Sequence, residues 1–418
     1  MEKTNFERHD AVLLFLGMVS PIYFLMVSGT QFIFFALIFV VVFSLIKSRG
    51  MRINIIRDRL YIIIFICSTI SMLAGAIFNK EPDQWKWQAF VFWSYNVIIF
   101  AFYIIGSGFS ERGIKAFFHG FKLCAICQVI YGYFQYFGYT FFKLDLNQVL
   151  FGKILGIDRA ISHYNYGVLV PSGFSWHSGT FAPLLVILYC MSANSLLLKA
   201  LILGIAALTQ NSTCMLGVIC CVFIDFVDKA LKLKIKIRKK VFFYCIIAIT
   251  IGILVLIKSG MIHIILSEIE RLISRILTKS SINLDMSTYY HKRYYLGLAD
   301  IAKESNVLQL LFGYGEGCSG YPFVKVFGQY TTSSPWVVES EIVNRLLNRG
   351  IIGFVLIYAW LIRLIKNGRK ISKQYVKCFI ALFLESVTYN IGFFWVIVVE
   401  IMLQLAVKKN IDVWQSEN

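Results

Sequence analysis

Charge is scarce in this chain. Asp, Glu, Lys and Arg make up 15% of the residues, against roughly a quarter in soluble globular domains. The hydrophobic fraction is 58% and the mean hydropathy is +0.69. A soluble fold this apolar could not cover its own surface, whereas a bilayer solvates it. Other signals are missing too. No Cys/His group has zinc-site spacing. Of the ten cysteines only Cys318 falls in a large polar segment, which excludes a secreted disulfide framework. The Cys124-x-x-Cys127 pair and adjacent Cys220 and Cys221 read as small hydrophobes inside spans. There is no internal repeat and no low-complexity tract. No small-residue cleavage site follows the first apolar run, so the N-terminal stretch reads as a retained helix, not a removable signal.

The net charge of +18 would suit nucleic acid, but its distribution excludes that partner. Lys and Arg gather in short stretches between apolar runs, as in cytoplasmic membrane loops. A span needs about 20 mostly apolar residues. The chain offers such runs near 11–28, 30–46, 60–78, 88–106, 119–139, 179–194, 196–210, 212–227, 241–257, 341–362, 376–389 and 391–407. The fold class expected is therefore all-α, a polytopic integral membrane protein of about twelve spans, with eleven to thirteen allowed. The alternation tests this count. Arg49, Arg52 and Arg57 lie in the loop 47–59, Lys234, Lys236 and Arg238 in 229–240, and Lys366, Arg369 and Lys370 in 363–377. Twelve spans with both termini inside put all three clusters on the cytoplasmic side.

The expected organisation is then 1–257, nine spans with an outer loop near 140–178; 258–340, a large extracytoplasmic loop; and 341–418, three spans and a short tail. Within the large loop Ser267 and Glu270 form a capping box, and Ile269, Leu272, Ile273 and Ile276 share one helical face, so an amphipathic helix is expected there. A second helix is expected near 288–304. Gly313-Tyr314-Gly315-Glu316-Gly317 reads as a turn, since no strand precedes it and no Lys follows to make a nucleotide loop.

Chemistry concentrates at three places. Where the large loop meets the next span, Glu339, Ser340, Glu341, Asn344, Arg345, Asn348 and Arg349 crowd one helix mouth. Glu341 and Arg345 are spaced i,i+4 on one face. His291-Lys292-Arg293 is a cationic triplet beside Tyr294, suited to clamping phosphate oxygens or seating a helix at headgroups. In the other outer segment stand Arg159, His163, Trp176 and His177. Glu385 and Glu400 sit inside apolar runs, where a carboxyl is a relay or a partner for a neighbouring basic residue.

This pattern resembles the Wzy-type polysaccharide polymerases and the related O-antigen ligases. Leu208-Thr209-Gln210-Asn211-Ser212-Thr213 is similar to the family's Thr-x-Ser-Arg segment, without its Arg. Arg293 and Tyr294 ahead of Gly313-Tyr314-Gly315 are similar to its Arg-bearing helix and G-x-G turn. Glu339-Ser340, then Gly350-Ile351-Ile352-Gly353, keeps the ligase spacing but has Glu where ligases carry His, which looks more like a polymerase.

The resemblance implies a GT-C-like fold and a reaction joining undecaprenyl-diphosphate-linked oligosaccharide units on the outer membrane face. A ligase or a lipid-linked oligosaccharide flippase are the alternatives. Arg293 is then the expected diphosphate clamp, with Arg159, Lys292 and His291 beside it and Arg345 either on phosphate or paired with Glu341. Glu339 is the expected acceptor-orienting group or general base, with His177 second; Trp176 and Tyr294 would contact glycan. No cofactor and no metal are implied. The implied partners are the lipid-linked substrate, membrane lipids and a chain-length regulator, with no nucleic acid.

Overall fold

The structure is a computed structural model and describes residues 2–23, 26–27, 30–47, 59–79, 84–157, 162–165, 168–175, 177–209, 211–232, 294–327 and 338–414. It is all-α, with two minor two-stranded pairs. The chain divides into two compact units, 1–222 with 297–418, and 223–296. Of the second unit the described parts are the end of a helix reaching Lys232 and a short helical stretch at 294–296. The expected span at 241–257 and the capping box at Ser267 lie outside the described residues.

The first unit begins with α1 (Glu2–Val19), α2 (Phe32–Lys47), α3 (Arg59–Phe78), α4 (Gln84–Gly106) and α5 (Glu111–Phe142). After a π-helical turn (Asn147–Ile154) and a hairpin of β3 (His163–Asn165) and β4 (Val168–Val170) come α6 (Ser178–Met191), α7 (Leu196–Leu208) and α8 (Ser212–Lys232). The minor pair β1 (Met26–Val27) and β2 (Thr30–Gln31) joins α1 to α2. Three short helices follow residue 297: α9 (Leu298–Glu304), α10 (Val307–Phe312) and α11 (Gly320–Phe327). The last three are α12 (Glu341–Gly368), α13 (Lys373–Thr388) and α14 (Phe394–Lys408).

Four of these, α3, α4, α5 and α12, are long and apolar enough to cross a membrane. Several shorter apolar helices accompany them. The burial pattern is inverted relative to a water-soluble fold. Ile77, Phe134 and Ile46 lie on the outside, while Gln128, Gln135, Glu385 and Gln404 lie inside. A water-facing shell would not carry such side chains, and a lipid-facing one does.

The boundaries depart from the apolar runs where local chemistry intervenes. The run 11–28 does not stay helical, since α1 stops at Val19, two residues before Pro21. Conversely α5 starts at Glu111, well before 119, because Ser110 caps it by accepting from the Gly113 N–H at 2.8 Å. Packing also selects small residues. A Cβ at Gly17 would overlap the Phe117 carbonyl, and one at Gly120 the Leu14 carbonyl. Glycine at both positions lets the backbones of α1 and α5 touch, the small-residue packing that membrane helices use. At the centre all of α6 is buried.

Candidate functional site

Two glutamines on α5 organise the outer segment after β4. Gln135 accepts from the backbone N–H groups of Ser172 and Gly173, both at 3.1 Å, and donates to Asn147 at 2.7 Å. Gln128 accepts from the Phe174 N–H at 3.0 Å and donates to the Pro21 carbonyl at 2.9 Å. Seven residues apart, the two amides share one helix face. They hang the segment 172–175 on α5 and aim His177 inward. His177 caps α6, its Nδ1 accepting from the Gly179 N–H at 3.0 Å. The same nitrogen faces the Tyr389 hydroxyl at 3.1 Å, and the two rings lie parallel. The His163 ring lies against the His177 ring at a tilt of 56°, with centroids 4.7 Å apart.

Burial, then the neighbouring His163, push the His177 pKa down to about 4, and burial lowers His163 as well. His177 is thus neutral with its proton on Nε2. An imidazole whose Nδ1 already accepts the helix N–H suits donating to a substrate oxygen better than removing a proton.

The second half of the site is the mouth of α12. Arg345 is ion-paired with Glu341 one turn before it and lies 3.8 Å from Glu400 of α14. Arg349 is ion-paired with Glu316 and donates to Asn96 at 3.0 Å. Ser68 donates to the same Glu316 at 3.3 Å. Asn344 links Asn348, which donates to it at 3.0 Å, with the Ser319 hydroxyl at 2.5 Å.

The helix breaks inside this cluster. Gly350 has φ 63° and ψ −173°. The carbonyls this frees are taken by the 313–315 turn: the Tyr314 N–H donates to the Leu347 carbonyl at 2.8 Å and the Gly315 N–H to that of Asn348 at 3.2 Å. Gly313 and Gly315 both have positive φ, so the turn approaches α12 backbone to backbone. The Asn79 amide, donating to the Tyr314 carbonyl at 2.7 Å, holds it from the α3 side.

Both halves line one cavity of about 680 Å³. His177, Glu339, Glu341, Arg345, Arg349 and Tyr389 form its polar side. An aromatic floor forms the other, where Tyr61 lies 5.4 Å from Trp360 and Phe65 stacks on Phe100 at 4.2 Å between centroids. Burial raises the Glu339 pKa above the ordinary carboxylate range. Its carboxyl is within electrostatic reach of Tyr389. Glu316, Glu339, Glu341 and Glu400 line the cavity against Arg345 and Arg349, both already ion-paired. The described wall is therefore acidic.

Of the residues singled out in the sequence, this cavity brings together Glu339, His177, Glu341 and Arg345. Arg159, Trp176, His291, Lys292 and Arg293 lie outside the described residues, and Tyr294 opens the short helical stretch 294–296 of the second unit. Glu400 is in reach of a cation. Glu385 is fully buried against Gly217, and its oxygens accept no hydrogen bond among the described residues. Asn211 accepts from the N–H groups of Thr213 and Cys214 and caps α8. Sequence reading missed Glu316, Tyr389 and Asn96. A carboxylate set between two turn glycines was the available signal for Glu316. Nothing local marks Tyr389, whose role depends on α6.

Among the described residues no group of three His, Cys, Asp or Glu side chains is placed to hold a metal ion. No protein-family model and no curated protein matches the chain.

Proposed function

We propose that this chain is a membrane glycosyltransferase that joins lipid-linked oligosaccharide repeat units on the outer face of the cytoplasmic membrane. The reading includes the twelve-span topology with both termini inside and the GT-C-like class. The observation that carries it is the cavity lined by both Glu339, from the segment ahead of α12, and His177, from the segment ahead of α6. One wall is polar and the other aromatic, which suits an amphiphilic substrate with a sugar head.

In this reading a hydroxyl of the incoming unit attacks the anomeric carbon of the growing glycan. The new C–O bond forms as the bond to the diphosphate breaks, and the diphosphate departs with the electron pair. Glu339 receives the hydroxyl proton, and its raised pKa brings its proton affinity closer to the working pH. The His177 Nε2–H orients a sugar oxygen. Glu341 and Glu400 hold the Arg345 guanidinium in place, so Arg345 orders the mouth of α12 instead of serving as the main phosphate clamp. That role falls to Arg293, with Arg159 and Lys292. Aromatic faces of the floor stack on sugar or isoprenoid. Membrane lipids and a chain-length regulator complete the partners.

A flippase would be expected to carry a cationic central cavity. Two ion-paired guanidiniums among four carboxyls do not favour that reading.

The test is the surface glycan profile of a deletion strain complemented with wild type, Glu339→Gln or Arg293→Ala. Single repeat units on the acceptor, with long chains restored by wild type alone, support the polymerase. Finished long glycan held on its lipid carrier would mean a ligase. Units trapped on the inner leaflet would mean a flippase.

A further inference from the structure

The far end of α12 carries a second feature that the glycan reading does not use. Two adjoining hollows meet at Lys370. The first, about 280 Å³, is lined by Arg363, Asn367, Lys370, Gln404, Lys408 and Asn410 with two aliphatic side chains. The second, about 550 Å³, has aliphatic walls of Ile362, Ile365 and Val376 and three cations, Lys366, Arg369 and Lys370. Among the described residues no carboxylate lines either hollow.

Topology accounts for cations in this segment. It does not account for a recess between three helices with a buried amide at its back. Gln404 is 2% exposed, and its Oε1 has no hydrogen-bond partner among the described residues. Asn410 takes φ 58°, and the Ile411 N–H returns to the Ala406 carbonyl at 2.9 Å, so the end of α14 is turned tightly around the recess. Lys408 is hydrogen-bonded to the Tyr103 hydroxyl and lies 4.5 Å from that ring.

We propose that this recess binds the phosphate headgroup of an anionic phospholipid. Arg363 and Lys370 supply charge to the phosphate, and the Gln404 amide N–H groups supply neutral hydrogen bonds. The first hollow has room for about nine waters at about 30 Å³ each, enough for a phosphodiester with solvent. The adjoining aliphatic walls favour a lipid over a free anion, since acyl chains would lie against Ile362, Ile365 and Val376.

The test uses the full-length protein in nanodiscs of phosphatidylcholine, with or without phosphatidylglycerol. Thermal unfolding and lipid retention by native mass spectrometry are the readouts. Wild type is expected to melt higher with phosphatidylglycerol and to retain it. Arg363→Gln with Lys370→Gln is expected to lose roughly thirtyfold in that affinity, about fivefold per cation. A charge-matched pair elsewhere, Lys143→Gln with Lys153→Gln, is expected to keep the preference. Equal loss in both pairs would overturn the site in favour of diffuse attraction. Stabilisation by inorganic phosphate in pure phosphatidylcholine, equal to that by phosphatidylglycerol, would overturn the lipid assignment and leave a free-anion site. The readouts require no glycan transfer, so the outcome is independent of the proposed enzyme activity.

Discussion

Two helix starts in this molecule use the same local pattern. At the start of α5, Ser110-Glu111 is followed by Lys115; at the start of α12, Ser340-Glu341 is followed by Arg345. Each places an acid in the first turn and a base four residues on. Their surroundings differ. The Lys115–Glu111 side chains are 37% and 64% exposed, while those of Arg345–Glu341 are 12% and 4% exposed. Ser110 caps its helix and Ser340 makes no side-chain cap bond. The first pair is a solvated ornament worth little. The second is part of a charge network with Glu400, in which each partner exists to keep the others tolerable. An acid–base spacing in a sequence therefore says that two groups meet and does not say what the meeting is worth.

The strongest way to break this contrast is to remove the buried cation. Arg345→Ala would leave the buried Glu341 and Glu400 without their cation and should cost about 3–5 kcal/mol of stability. Denaturant unfolding in detergent measures it. A loss below about 1 kcal/mol, the range of exposed pairs, would mean that water or protons compensate the carboxyls and that burial does not distinguish the two helix starts.

Glu339→Gln acts on the same cavity with a side chain of the same size. Its effect should appear in glycan joining, a fall of roughly 10²–10⁴-fold if Glu339 is the base, with the melting temperature nearly unchanged. The pH profile sharpens the assignment. Burial raises Glu339, so the active carboxylate appears only as pH climbs through a value above the ordinary carboxylate range, and activity should rise there. The same raised group favours the fold most at low pH and withdraws that contribution as pH rises through its folded value. His177, pushed down to about 4, does the reverse. Its contribution is present above the ordinary histidine range and is lost as pH falls toward that value. His177→Asn should therefore leave the shape of the activity profile between pH 5 and 8 unchanged.

Gly350→Ala comes next. A side chain at φ 63° and ψ −173° is strained, and its Cβ would overlap the Leu311 carbonyl. About 1–3 kcal/mol should be lost, together with the ordered approach of the 313–315 turn. Last, Lys115→Ala should change stability by less than about 0.5 kcal/mol, and a larger loss would erase the contrast from the other side.

The all-α character and the helices α3, α4 and α12 were legible because long apolar runs between basic stretches have few other meanings. Glu341 with Arg345 was legible from spacing. What the sequence did not expose depends on distant segments. The partner of Arg349 is a glutamate in a turn that is 33 residues away in the chain, and Ser68 on α3 completes it. Tyr389 meets His177 across 212 positions. The break at Gly350 was visible as a glycine, but only the turn at 313–315 gives it a purpose. The aromatic floor is not legible in the sequence because Phe and Tyr occur throughout the spans, and only packing sorts those facing lipid from those facing a cavity.

The docking of Tyr314 between Asn79 and Leu347 carries a consequence for biogenesis. The Asn79 amide binds a carbonyl 235 residues further along the chain. At a translation rate of about 5–20 residues per second, that partner leaves the ribosome on the order of ten seconds to under a minute after α3 has been made. Until then a polar side chain destined for full burial has no permanent partner in the bilayer. The nascent α3 must stay wet, or sheltered by the insertion machinery, until the broken helix arrives to close over it.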